Sequence, residues 1–223
     1  MNNKTLWQIR DSIMEAIHSY EITDDSNIEP DIIDDKIVDL RSTLINEEHK
    51  TGILDQGYYQ AIDNLEVVFG NHTLVISDNI TLVQAKKIGV VTIPGLNTRI
   101  GRKAISYLGV ADYSYNFDHK TVQGLLASAG GIYTKNRYQY AISGTKAFVK
   151  NYGLDGKRYV SVLAILDDPR MAPGFNFKTS DFPVSDPQKL ELLVIKHFLS
   201  TLGYAPDKIN DANVNLQQPQ QQQ

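Results

Sequence analysis

Five histidines, His18, His49, His72, His119 and His197, are the side chains in this sequence best suited to proton transfer or metal binding. None lies three or four residues from another, so no helix can present a metal-binding pair. Two fall at predicted helix ends and one in mid-helix, and each reads as a structural residue. There is no cysteine, which removes thiolate nucleophiles, disulfides, zinc ribbons and iron–sulfur clusters together. The stretch Gly95-Leu-Asn-Thr-Arg-Ile-Gly-Arg-Lys103 has the outline of a phosphate-binding loop. However, five residues separate its glycines, and Arg-Lys stands where such a loop needs Gly-Lys-Ser/Thr to hold phosphate and magnesium. Gly130-Gly131 follows Ser128-Ala129 without the Gly-x-Ser-x-Gly pattern of a nucleophile elbow. Asp31, Asp34 and Asp35 lack the central glycine and closing glutamate of a calcium loop. The sequence therefore predicts no catalytic, cofactor-binding or metal site, and a protein that is not an enzyme.

What remains is recognition by surfaces. The net charge of −4 conceals an asymmetry: residues 1–60 carry −8, residues 61–180 carry +6 and residues 181–223 carry −2. An acidic opening segment beside a basic middle suggests internal docking or head-to-tail contact between copies; a solvated acidic helix pair is the simpler alternative. Lys86, Lys87, Arg99, Arg102 and Lys103 are the densest basic set, suited to DNA phosphate, to the acidic helices or to another subunit. Twelve tyrosines suit interfaces and ordinary sheets alike. Nucleic-acid binding over the whole surface is disfavoured by the net sign.

The elements that must position these groups follow from periodicity. Leu6, Ile9, Ile13 and Ile17 predict a helix from Thr5 to about Tyr20, with Thr5 as cap and Trp7 and Met14 widening the apolar stripe. Ile33, Ile37, Leu40 and Leu44, with Ile45 beside them, predict a second helix from Pro30 to His49. Its early aspartates favour the positive end, and Gly52 provides the stop. Ser185-Asp186-Pro187 opens a third helix to about Leu202, with Leu190, Leu193, Val194, His197 and Phe198 on one face. Between them lie short apolar runs broken by Gly, Asn and Asp. Strands are expected at 65–69, 73–76, 89–93, 106–110, 132–133, 138–142, 147–149 and 159–166, and a short helix at 121–128. The runs 138–149 and 158–166 suit adjacent antiparallel strands. After Gly203 the chain is polar, with six glutamines in the last seven residues.

The fold class expected is α+β: an N-terminal helix pair and a C-terminal helix packed with a β-rich antiparallel middle, then an extended C-terminal arm. The helical part is 1–53 with 185–202, the β-rich part 54–184 and the polar tail 203–223. A chain of 223 residues supports one core with a small satellite, and its 42% apolar content excludes wholesale disorder. No window approaches 18 unbroken apolar residues, so no membrane partner is expected. The first residues lack an apolar stretch with a cleavage site, so secretion is not expected.

Several patches carry a family resemblance. Ser26-Asn-Ile-Glu-Pro-Asp-Ile-Ile-Asp-Asp-Lys-Ile-Val-Asp-Leu-Arg-Ser-Thr-Leu-Ile and Leu54-Asp-Gln-Gly-Tyr-Tyr-Gln resemble the opening of small neck proteins of crAss-like tailed bacteriophages. Ile93-Pro94, Ile105-Ser-Tyr-Leu-Gly-Val-Ala-Asp112 and Phe117 are similar to the middle of those proteins, and Phe182-Pro-Val-Ser-Asp-Pro and Pro206-Asp-Lys-Ile-Asn-Asp-Ala-Asn to their close. The resemblance implies a head–tail adaptor-like virion protein at the portal–tail junction of a short-tailed phage. Such proteins form rings, commonly of twelve copies, that continue the DNA channel. The implied partners are copies of itself, the portal protein and other neck or tail proteins, with non-specific DNA contact in the channel left open. It would be assembled in the host cytoplasm and reside in the virion. The expected interface residues are Asp34, Asp35, Lys36, Asp39 and Arg41 on the second helix and the five basic residues named above. Ile209, Val214 and Leu216 join them on an arm that orders only against a neighbour. Two alternatives stay open: a virion-associated wall hydrolase, which would need a carboxylate pair or metal ligands, and a DNA-binding module using the basic middle, whose affinity would fall with salt.

Overall fold

The computed structural model describes residues 4–19, 28–76, 79–83, 88–127, 137–152 and 158–201. Along them run α1 (Leu6–His18), α2 (Pro30–Thr51), β1 (Gln60–Glu66), β2 (Val68–Phe69), β3 (His72–Ile76), β4 (Asn79–Val83), β5 (Ile88–Thr92), β6 (Ile105–Val110) and β7 (Asp118–His119). Then come α3 (Val122–Ala127), β8 (Gln139–Ser143), β9 (Lys146–Lys150), β10 (Tyr159–Ala164) and α4 (Pro187–Thr201). The fold is α+β, and the chain divides into two compact units. The first is Met1–Thr51 with Asn176–Gln223, and the second is Gly52–Phe175. The expected strand 132–133 and the tail 203–223 lie outside the described residues.

The helical unit is built from α1, α2 and α4, which pack on one another. Thr5 caps α1 as expected: its hydroxyl accepts from the Gln8 N–H, and the Gln8 side chain accepts from the Thr5 N–H, satisfying two of the helix's unpaired donors. Leu6, Ile9, Ile13 and Ile17 are buried. Trp7, expected to widen that stripe, is 41% exposed, because one residue along a helix turns the side chain by about 100°. On α2 the buried face is Ile33, Ile37, Val38, Leu44 and Ile45 together with Asp34 and Arg41, while Leu40 lies at the margin. The helix runs on to Thr51, and Gly52 follows in the left-handed conformation. Asp186 accepts from the Lys189 N–H to start α4, whose buried residues are Leu190, Val194, Phe198 and Leu199. His197, expected on that face, is exposed, and Leu193 is half-buried.

Residues 176–184, expected in the β-rich part, belong to the helical unit. Their backbone is bonded to the start of the chain: the Phe182 N–H donates to Lys4 and the Trp7 N–H to Phe177. Phe182 and Val184 are buried.

The β-rich unit holds a three-stranded sheet of order β1-β10-β6, a five-stranded sheet of order β2-β5-β9-β8-β7, and the hairpin β3-β4. Only the β7–β8 pair is parallel among these ladders. The strand pairing corrects one expectation. The 138–149 hairpin, β8 and β9, does not neighbour β10, because the outer edge of β9 is taken by β5 and β10 is the centre of the other sheet. The chain passes between the two sheets at Val67, a buried residue between β1 and β2 whose N–H donates to Arg158. The two edge strands of the three-stranded sheet are each irregular or covered. Asn64 at φ 57° bulges β1, and residues 115–117 cover β6 through bonds with Leu108 and Val110. Bulges and covering segments both disfavour further strand addition.

Candidate functional site

In the helical unit the charged residues of α2 divide by helical phase. Asp31, Asp35 and Asp39, one turn apart, are exposed along one side. Asp34 turns inward, where its Oδ2 accepts from Arg10 of α1 at 3.0 Å, with only 12% and 19% of the two side chains exposed. Arg41 has no exposed surface; its Nε–H donates to the Pro183 carbonyl and its guanidinium lies over the Phe182 ring. Asp34 and Arg41, expected at an interface, are therefore interior polar residues of the unit. They stand seven residues apart, two full turns, on the same face as Ile37, Val38 and Ile45. Lys36 is half-buried and near α4, where it adds to partial desolvation in holding His197 below the usual histidine range.

The β-rich unit has a cleft of about 380 Å³. One wall is the loop after β5. The backbone turns at Gly95, in the left-handed region at φ 61°, and Leu96 bridges to Leu166. The Asn97 N–H then donates to Ile165 at 3.0 Å. Its side-chain Oδ1 accepts from the N–H groups of Arg99 (3.1 Å) and Ile100 (3.4 Å), bending the loop into the 3-10 turn Gly101–Ala104 that carries Arg102. The opposite wall is the segment His119–Val122, from the end of β7 to the start of α3. There the Lys120 N–H donates to Tyr140 at 2.8 Å, and Thr121 Oγ1 accepts from the Gly124 N–H at 3.0 Å. Leu96, Val122 and Ile142 give the cleft an apolar lining, and among the described residues none that line it is acidic.

The charge of the cleft shows in its titratable groups. His119, half-buried with its ring 5.1 Å from that of Tyr140, is held below the usual histidine range by burial and then by the Arg102 and Lys120 cations. Burial raises the Tyr140 phenol, and Arg102 opposes that rise. A histidine depressed in the folded state adds stability above its unfolded pKa, near 6.5, that is lost as pH falls through its folded value. An NMR pH titration is expected to place the His119 midpoint below the usual histidine range, and Arg102→Ala to move it upward. A midpoint unmoved by that substitution would show that the cations do not set the potential at His119.

Arg99 and Lys103 are exposed beside the cleft, and the Lys103 ammonium donates to the Gly52 carbonyl at 3.2 Å. Arg99, Arg102 and Lys103 are thus brought together on one loop. Lys86, Lys87, Ile209, Val214 and Leu216 lie outside the described residues. Much of the tyrosine surplus packs inside the unit: Tyr58 and Tyr152 are buried, and Tyr138 and Tyr152 join Tyr115 and Phe117 in a ring cluster. Tyr113, Tyr115 and Tyr159 keep substantial exposure. Among the described residues no three His, Asp or Glu side chains are grouped to hold a metal, and no helix is long and apolar enough to cross a membrane.

The sequence matches no family model, and no curated protein matches it.

Sequence reasoning did not single out Asn97 or Lys120 and read His119 as merely structural. Its one usable signal was the Gly95–Lys103 stretch, whose glycines do shape a loop at a cleft although the motif itself is incomplete.

Proposed function

We propose that the chain is a structural subunit of the portal–tail junction of a short-tailed, crAss-like phage, assembling head to tail into a ring that continues the DNA channel. The observation that supports this reading is the opposite charge of two separate surfaces. The helical unit has nine Lys/Arg against seventeen Asp/Glu, and the β-rich unit thirteen against nine. Each charge is presented locally, as the Asp31/Asp35/Asp39 side of α2 and as the Arg99–Lys103 loop. A chain with two different complementary patches makes heterologous contacts, which close into rings when the rotation permits.

The test is association in solution. Native mass spectrometry at low ionic strength is expected to show assemblies that dissociate as salt rises. Asp35→Lys with Asp39→Lys is expected to weaken association by roughly tenfold or more, since exposed pairs contribute about 0.5 kcal/mol each and reversal adds repulsion. Combining that variant with Arg99→Asp and Lys103→Glu is expected to restore it. Assemblies indifferent to both salt and reversal would overturn the reading. Non-specific contact of the same loop with duplex DNA is a second reading, distinguished by a DNA affinity that falls steeply with salt.

A further inference from the structure

We propose that the cleft between the Leu96–Arg102 loop and the His119–Val122 segment is a binding site for a phosphomonoester of about nucleotide size, independent of any ring assembly. Three observations converge on this ligand. Arg102 and Lys120 come from opposite walls, and among the described residues no acidic side chain lines the space between them, so the cleft favours an anion. Two cations on facing walls match a dianion better than a single carboxylate, and a phosphomonoester is doubly charged at neutral pH. The depressed His119 agrees with a positive potential there.

The second observation is Asn97. It is 1% exposed, and its Oδ1 is committed to two backbone N–H groups. That commitment fixes which end of the amide is the donor, so no flip of the side chain can satisfy both ends. The Nδ2 group is buried and has no hydrogen-bond partner among the described residues. Buried donors are almost always satisfied, and one that is not calls for an explanation; an acceptor oxygen on a bound molecule supplies it.

The third is shape. A volume of about 380 Å³ falls in the range of small-molecule sites. The apolar surface of Leu96, Val122 and Ile142 suits a sugar or a base, with the phosphate at the cationic rim. Arg102, Lys120 and the Asn97 amide are the groups that would hold the phosphate.

Calorimetry on the full chain at low salt tests the site, with dAMP, deoxyadenosine and inorganic phosphate as probes. dAMP is expected to bind, inorganic phosphate to bind more weakly, and deoxyadenosine, which lacks the phosphate, not at all. Arg102→Ala changes an exposed side chain and is expected to weaken dAMP at least tenfold. Asn97→Asp keeps the Oδ1 acceptor but replaces the donor with a negative oxygen, and is expected to abolish binding; thermal unfolding shows whether that variant is folded, and if it is not, Arg102→Ala decides. A short single strand carrying a 5′-phosphate, compared with its 5′-hydroxyl form, distinguishes the sources. Phosphate-dependent binding of the strand assigns the site to DNA ends, and binding of dAMP alone assigns it to free nucleotide. Failure of every phosphate-bearing probe to bind, or dAMP affinity unchanged by Arg102→Ala, would overturn the proposal.

Discussion

Truncation of Arg41 to alanine is expected to lower the unfolding free energy by about 3–5 kcal/mol, read as a shifted urea midpoint with an unchanged slope. The side chain is among the largest that are fully buried, and it spans from α2 to the 176–184 segment. Alanine removes the Nε–H donor from the Pro183 carbonyl and the guanidinium from the face of Phe182. It also leaves a void that close-packed helices fill poorly. Arg41→Met restores most of the volume and none of the hydrogen bonding, so it is expected to recover part of the loss. The fraction recovered separates packing from polar satisfaction. A loss under about 1 kcal/mol for Arg41→Ala would show that the unit does not depend on this residue.

Gly109→Ala is expected to cost about 3 kcal/mol in the β-rich unit, at the upper end of overpacking effects. The reason is space alone. A methyl group built on Gly109 would lie 2.1 Å from the Tyr115 carbonyl oxygen and 2.4 Å from the Tyr107 hydroxyl. The Tyr115 carbonyl is itself held in place, accepting from the Val110 N–H and from Tyr107. The clash therefore forces the covering segment 115–117 off the edge of β6. Adding Tyr107→Phe removes the hydroxyl but not the carbonyl, so the double variant is expected to regain little. Thermal unfolding of both variants provides the check, and a double variant as stable as Tyr107→Phe alone would refute the mechanism.

The helices were legible because their signals are local. Thr5, Pro30 and Asp186-Pro187 each mark a start within one turn, and isoleucines at three- and four-residue spacing name the buried side. Strand partners were not legible, because pairing joins distant segments. The apolar run of β10 says that it is buried, but nothing in it says that its neighbours are Gln60–Glu66 and Ile105–Val110 rather than the adjacent hairpin. The inward turn of Asp34 and Arg41 was visible in principle, since both share the phase of Ile37 and Ile45; their charge argued for the surface and outweighed the phase. The cleft was hidden for another reason. Asn97 and Lys120 lie on separate loops, and a buried asparagine has no sequence mark that distinguishes it from an exposed one.

The division of the helical unit into two stretches of chain has a consequence for the order in which its parts come into being. A ribosome makes α1 and α2 first and α4 only after all of Gly52–Phe175 has been added, an interval of roughly ten seconds at ordinary elongation rates. Throughout it the side of Ile9, Ile13, Ile33 and Ile37 lacks the leucines, valine and phenylalanine of α4, so the first helices wait on the nascent chain in an unfinished state. The intervening β-rich segment has no such dependence. Its own ladders, β1 with β10 included, close entirely within residues synthesised before α4. Of the three helices, the one made last thus completes the packing of the two made before it.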